Sequence, residues 1–409
     1  MSVPGDLVGQ RSETVRRSNL SAIVRELHVR GPLSRSDLVG LTGLTRSAIR
    51  GLIGELVAGG LVTEVPNQPA GTPGRPSPIV QPNARGAVAV ALEVNVDSLA
   101  AALVGFGGTL HQLARVDRPR GHLSVDAIVD DLVELVGPLL RAVDPDALVG
   151  IGVAVAGIVR RSDGIVRMAP NLGWRDVPLA QRLREALPVV APVWVANEAD
   201  LGGLAEHRRG AAIGADEVLY VMGEVGVGGN MIVDGRPIIG IDGYAGEIGH
   251  MSVNPDGLAC ACGSRGCWET EIGERALLTR AGFDPEGGRE AIGEVIAAAT
   301  AGEPRAVTAV EEVGRWLGIG ISSLVNVLNP QLVVVGGVLE RLYPLMARTL
   351  EEAVAVYALP PGREHLRIVP GALGDDAPTL GAAELAFEPL LADAALQLRL
   401  RSPAALVSA

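Results

Sequence analysis

Residues 245–269 read AGEIGHMSVNPDGLACACGSRGCWE, and the rest of the chain is best read outward from them. The stretch holds every cysteine of the 409-residue sequence, Cys260, Cys262 and Cys267, separated by nine residues from His250. Three thiolates and one imidazole in a glycine-rich loop match a closed tetrahedral Zn2+ site. With no coordination position left open, such a metal is structural rather than catalytic. The alternative is a set of inert buried thiols. Cysteines this few and this close imply no disulfide framework.

On both sides of the loop the pattern is mixed α/β. Strands are expected at 88–94, 99–104, 110–116, 148–155, 192–196, 217–222, 229–233 and 331–335, and helices near 124–143, 199–209, 289–301, 306–327 and 338–357. A triplet of strands followed by alternating helices and strands occurs twice, which predicts two similar lobes with a cleft between them. A C-terminal helix near 379–392 is expected to pack back on the first lobe. Aromatics make up only 3% of the chain, so Ala, Val, Leu and Ile must build the core. No lysine occurs, which removes any lysine-based phosphate clamp. The N-terminus lacks the basic start and apolar segment of a signal peptide, and the longest apolar run, 147–159, is too short to span a bilayer. A cytoplasmic protein with no membrane partner is expected.

The net charge of -12 is unevenly spread. Residues 1–85 carry ten Arg against six acids, a net of +4, and the remainder 25 Arg against 41 acids, a net of -16. A basic module on an acidic domain suggests contact with nucleic acid. Leu20, Ile23, Val24 and Leu27 define a first amphipathic helix, stopped by Gly31-Pro32. Ser34 with Asp37 is a capping-box-like start for a second helix. A turn at Gly43 leads to a third, capped by Thr45, with Ile49, Leu52, Ile53, Leu56 and Val57 on its buried face. This is the layout of a helix-turn-helix, whose third helix would present Thr45, Arg46, Ser47 and Arg50 to the major groove. The alternating 61–65 and the Pro/Gly-rich 66–78 resemble a wing, in which Arg75 of Gly74-Arg75-Pro76 would enter a narrow minor groove. A small protein-interaction domain followed by a linker is the competing reading.

The motif Glu-x-Gly-His followed by Cys-x-Cys-Gly-x-x-Gly-Cys-x-Glu, as it stands in residues 247–269, resembles the signature of the ROK family. The likeness continues through IGVAVAGIV (151–159), NLGW (171–174), NEADLGGLAE (197–206), GVGGNMIVDG (226–235) and LNPQLVVVGG (328–337). The N-terminal segment resembles the winged helix-turn-helix of the family's repressor branch. The resemblance implies an actin-like fold, of the sugar kinase and heat-shock ATPase type. It divides the chain into residues 1–82 (winged helix-turn-helix), 83–198 with 379–409 (first lobe) and 199–378 (second lobe). It also implies that Asn197, Glu247, His250 and Glu269 hold sugar hydroxyls and that His250 doubles as a zinc ligand. Glu198 stands in the sugar site where the kinases of the family carry a catalytic aspartate. Their first phosphate loop, Asp-x-Gly-Gly-Thr-Lys, is matched here by Glu93-Val94-Asn95-Val96-Asp97-Ser98, with both glycines and the lysine gone. The second, Gly-Thr-Gly, reads Glu224-Val225-Gly226, and Gly336-Gly337 matches the adenine side. Carboxylates at a polyphosphate site without a lysine disfavour ATP. The expected function is therefore a non-enzymatic, sugar-responsive regulator of transcription, with a sugar kinase bearing an accessory DNA-binding module as the alternative. Its partners would be an inverted-repeat operator with A·T-rich flanks and a sugar or sugar phosphate, bound by a homodimer or homotetramer. Replacing Arg75 by Ala should weaken binding most on operators with A·T-rich flanks in salt-controlled titrations. Equal binding of every sequence would refute the wing assignment.

Overall fold

A computed structural model describes residues 5–67, 77–121 and 124–400, so Arg75 lies outside the described residues. The chain opens with α1 (Gly5–Arg30), β1 (Leu33–Ser34), α2 (Arg35–Thr42), α3 (Arg46–Ala58), β2 (Val62–Val65) and β3 (Ile79–Pro82). Ser34 and Asp37 close a reciprocal capping box: the Ser34 hydroxyl accepts from the Asp37 N–H at 3.1 Å, and the Asp37 carboxylate accepts from the Ser34 N–H at 2.9 Å. Gly43, at φ 69°, ends α2, and the Thr45 hydroxyl caps α3 by accepting from the Ala48 N–H at 3.3 Å. Leu20, Ile23, Val24, Leu27, Leu38, Ile49, Leu52, Ile53 and Leu56 are buried together. Val57 departs from expectation: it is 41% exposed, because it sits just beyond the inward stripe of α3. The three strands form a sheet in the order β1-β3-β2.

The next elements are β4 (Val88–Val94), β5 (Ser98–Gly105), β6 (Thr109–Asp117), α4 (Val125–Arg141), β7 (Leu148–Val155), the small antiparallel sheet of β8 (Ile158–Arg160), β9 (Ile165–Ala169) and β10 (Trp174–Val177), α5 (Leu179–Ala186), β11 (Val193–Asn197) and α6 (Glu198–Arg209). The chain then runs through β12 (Val218–Gly223), β13 (Val227–Val233), β14 (Arg236–Pro237), α7 (Glu269–Ile272), α8 (Glu274–Ala281), α9 (Gly288–Thr300), α10 (Pro304–Leu328), β15 (Leu332–Gly337), α11 (Val338–Tyr357), α12 (Pro360–Arg363), β16 (Arg367–Pro370), α13 (Ala377–Ala392) and α14 (Ala394–Leu400). Two five-stranded sheets result, ordered β11-β7-β4-β5-β6 and β14-β13-β12-β15-β16. In each, the first three strands run as antiparallel neighbours and the last two add in parallel beside the first. The repeated topology is the pair of similar lobes expected from the doubled strand pattern, in the actin-like form that the family resemblance implies.

Helix α13 lies across β4, β7 and α6 at backbone contact. A Cβ on Gly152 would stand 1.8 Å from the Ala382 carbonyl oxygen, and one on Gly381 would stand 1.9 Å from that of Leu201. The far end of α13 meets the winged helix: the Ser21 hydroxyl of α1 donates to the Ala392 carbonyl at 3.1 Å and accepts from the Ala394 N–H at 3.1 Å. Leu20, Ile53, Phe106, Phe387 and Leu391 thus belong to one continuous apolar core spanning the winged helix and the first sheet. Gly152→Ala forces backbone apart rather than a flexible side chain, so it should cost at least the roughly 1–3 kcal/mol typical of overpacking. Thermal unfolding should record this as a clear drop in Tm.

Candidate functional site: a cleft beside a His/Cys3 cluster

Asn197 ends β11 and caps α6. Its Oδ1 accepts from the N–H groups of Ala199 (2.7 Å) and Asp200 (3.2 Å), and its Nδ2 donates to the Gly157 carbonyl at 3.0 Å. The cleft it lines is also bordered by Asn171, Glu198, Glu224, Glu247, His250 and Glu269. The five residues singled out as sugar contacts, Asn197, Glu198, Glu247, His250 and Glu269, therefore share one wall-to-wall space. Glu269 accepts from the Val227 N–H at 3.1 Å, which fixes one carboxylate oxygen. Burial, with Asp200 and Glu269 nearby, pushes the Glu247 carboxyl up to about 7. Two further residues escaped the sequence reading. Asn171 belongs to a motif noted only for its likeness. Asp200 is buried in the first turn of α6, receives the Asn230 amide at 3.3 Å and is raised to about 6 by burial. An acid three residues after an N-cap asparagine, among the Ala, Leu and Gly of residues 199–205, was the available signal.

His250 also belongs to the metal-type cluster. Its ring nitrogen and the Sγ atoms of Cys260, Cys262 and Cys267 all lie within 4.8 Å of one another. Cys260 Sγ is 3.7 Å from His250 Nδ1, and Cys262 Sγ is 3.7 Å from Cys267 Sγ. Short antiparallel bridges, Ser252 with Cys267 and Ala259 with Arg265, fold the loop so that these groups converge. Cys260 Sγ is 3.6 Å from Glu269 Oε1, joining the cluster to the cleft wall.

Toward the loops of residues 93–98 the expected carboxylates are present and are paired with arginines. Asp97 is held by Arg120 at 2.9 Å and lies 3.4 Å from Arg289 Nε. Arg120 also pairs with Glu274 at the start of α8, and Arg289 of α9 donates to Asp375 at 3.3 Å. Arg115 donates to both oxygens of Glu93 at 3.3 Å, to the Asp375 carbonyl at 3.0 Å and to Asp376 at 3.3 Å. These three arginines are distant in sequence from the loops they neutralise, so no local motif announces them. Two acids remain strongly perturbed. Glu198 lines the cleft with its Oε2 shielded from solvent and lacking any hydrogen-bond partner, and desolvation plus the charges of Glu224, Glu93 and Asp97 hold it well above the usual carboxylate range. Burial pushes Glu224 up to about 8, although Arg289 opposes the shift.

On α3, Thr45, Arg46, Ser47 and Arg50 are all exposed, and neither arginine has an ion pair among the described residues. Gly51 and Gly54 face open space, so both lie where an approaching surface would not be obstructed. No helix among the described residues is long and apolar enough to cross a membrane.

The profile of the ROK family matches residues 89–388, and the chain belongs to that family. It is similar to the xylose repressor of Bacillus spizizenii, 27% identical over 379 residues that span 92% of this chain and 97% of the relative. Among solved structures it matches a ROK family transcriptional regulator, a homologue of the E. coli MLC protein. The TM-score is 0.76 at 25% identity, over 95% of this chain and 98% of that one. A ROK family glucokinase from Streptomyces griseus, solved with glucose and AMPPNP, matches with a TM-score of 0.65 at 29% identity. It covers 98% of the kinase but only 73% of this chain.

Glu224 offers a pH signature. Its native state retains the proton up to about pH 8, whereas the unfolded carboxyl releases it near its ordinary value, so the neutral form's stability is intact at low pH and is lost as pH rises toward 8. Glu224→Gln mimics the neutral form. Its Tm advantage over the parent should widen from pH 5 to pH 8, by the equivalent of roughly 1.4 kcal/mol per unit over part of that range. A gap that stays constant or narrows would contradict the burial argument.

Proposed function

We propose that this protein is a sugar-responsive, DNA-binding regulator of carbohydrate-metabolism genes, acting as a repressor and not as a kinase. The observation that carries the reading is the cleft's phosphate end. Where an ATP-using relative needs glycines and a lysine, this chain has Glu93 and Asp97 tied to Arg115, Arg120 and Arg289. ATP phosphates would have to displace those pairs and face Glu224. Glu198, pushed toward its protonated form by desolvation and neighbouring carboxylates, can donate to a sugar hydroxyl. The head-to-tail likeness to regulators, against the partial likeness to kinases, agrees with this.

In this reading residues 1–82 bind DNA, through Thr45, Arg46, Ser47, Arg50 and Arg75. Residues 83–198 with the C-terminal helices, and residues 199–378, form the lobes around the sugar. A homodimer or homotetramer would set two α3 helices on an inverted repeat. Asn197, Glu198, Glu247, His250 and Glu269 would hold a sugar or sugar phosphate, whose hydroxyls suit carboxylates, amide and imidazole. His250, Cys260, Cys262 and Cys267 would hold zinc. Two sulfurs bound tetrahedrally at about 2.3 Å stand about 3.8 Å apart, close to the 3.7 Å between Cys262 and Cys267. When bound, the metal would lock the loop that carries His250 and Glu269.

The test compares the parent with Cys262→Ser and Glu247→Ala, using metal analysis, calorimetry with D-xylose and D-glucose, and binding of duplexes selected from a random pool. Cys262→Ser should lose zinc, sugar affinity and sugar response together. Glu247→Ala should keep zinc and lose the sugar response. A coupled ADP-release assay should register no hexose phosphorylation, and Glu198→Asp should not create it. Substantial turnover by the parent would reverse the choice between regulator and kinase.

A further inference from the structure

Helix α6 has the cleft at one end and the winged helix at the other. It runs 12 residues, or about 18 Å. At its N-terminus Asn197 and Glu198 line the cleft, and the helix is buried from Ala199 to Glu206. In its last turn Arg209 donates from Nε to Glu384 at 2.8 Å and from Nη1 to the carbonyls of His28 (2.7 Å) and Gly107 (3.2 Å). Arg208 donates to the other Glu384 oxygen at 3.0 Å. His28 lies in the last turn of α1, and Glu384 is buried in the middle of α13.

This cluster has only one proton arrangement. The Gly107 N–H points at His28 Nδ1 at 3.2 Å, so Nδ1 is the acceptor and Nε2 carries the hydrogen given to Glu384 at 2.9 Å. Burial keeps the imidazole from charging. Burial alone would raise Glu384, but His28, Arg209 and Arg208 hold it well below the usual carboxylate range. Phe106 and Phe387 seal the ring on two sides at centroid distances of 5.2 and 4.9 Å. A buried carboxylate with two arginines and one imidazole tolerates little sliding, because losing a partner leaves charge uncompensated in an apolar setting.

We propose that α6 is the rod, and the Glu384–Arg208–Arg209–His28 cluster the joint, through which the state of the cleft reaches the DNA-binding head. A ligand that shifts the Asn197 end of α6 shifts the arginines at the far end. The carbonyl of His28 and the ring below it then carry α1 along. The inference rests on the regulatory reading above and assigns it a route: a contiguous chain of buried, charge-paired contacts from the cleft to α1.

The experiment uses the full-length protein and three variants. Glu384→Gln keeps the shape of the joint and removes its charge. Arg209→Ala cuts the tie to His28 at the cluster's accessible edge, which guards against failure of the first variant to fold. Arg17→Ala removes only the exposed pair with Asp393 between α1 and the end of α13. Sugar affinity is measured by calorimetry with D-xylose and D-glucose. DNA affinity is measured with and without each sugar, on a duplex selected by the parent. The parent and Arg17→Ala should change DNA affinity by about tenfold on adding the active sugar, a typical coupling. Arg209→Ala and folded Glu384→Gln should bind sugar and DNA within about twofold of the parent, yet change DNA affinity by less than about twofold. A parental response in Arg209→Ala overturns the joint and leaves the regulatory reading standing. A parent whose DNA binding ignores both sugars overturns the regulatory reading and this inference with it.

Discussion

Helix α13 rests on β7 and α6 with carbonyl oxygens where side chains would ordinarily stand, and the organisation of the chain depends on that close approach. The contact needs Gly152 on the strand and Gly381 on the helix. Once seated, α13 serves three regions at once. Just before its first turn, Asp375 and Asp376 meet Arg289 and Arg115 at the cleft. Its first turn gives Thr379 to Glu93, its middle gives Glu384 to the buried cluster, and its end turns into α14 against Ser21 of α1. The winged helix is consequently continuous in packing with the first sheet, despite the strong contrast in charge between the two parts of the sequence.

Charge in the cleft is arranged by cations that cannot be switched off. With no lysine in the chain, Arg115, Arg120 and Arg289 supply the positive partners, and each guanidinium is raised further by its carboxylates. Arg120 links the turn after β4 to α8, and Arg289 links that same turn to α9, so the two lobes are pinned to each other across the phosphate end. The acids that titrate, Glu198 and Glu224, line the cleft itself and owe their shifts mainly to desolvation. A fixed ionic rim thus surrounds a proton-bearing interior, which suits recognition of a neutral polyol better than of a polyphosphate.

Periodicity made most of the fold legible. The strands at 88–94 and 148–155 and the helix at 338–357 stand where apolar runs and turn residues put them. Elements too short to carry a period were not legible: the two-residue β1, the β8–β10 sheet, α7 and α12. The wing strand β3 includes a proline and pairs only because β1 and β2 flank it. In the cleft, the residues clustered in motifs were recoverable, since Glu247, His250 and the cysteines are near neighbours in sequence. Arg115, Arg120 and Arg289 were not, because their partners come from other elements and only tertiary packing brings them together. The His28–Glu384 pair, 356 positions apart, is a further case. Val57 illustrates the limit of a helical stripe, whose edge is set by what packs against it.

Asn197 spends both ends of its amide within the protein, holding Gly157 with one and the first turn of α6 with the other. A side chain so committed is a poor place to vary: its replacement would loosen a helix start and a strand turn before it altered any ligand. Asn171 and Glu247 line the same cleft without a side-chain helix cap of this kind. The cleft thus contains one polar side chain whose orientation is set by the scaffold before any ligand arrives, and that fixity follows from a helix cap.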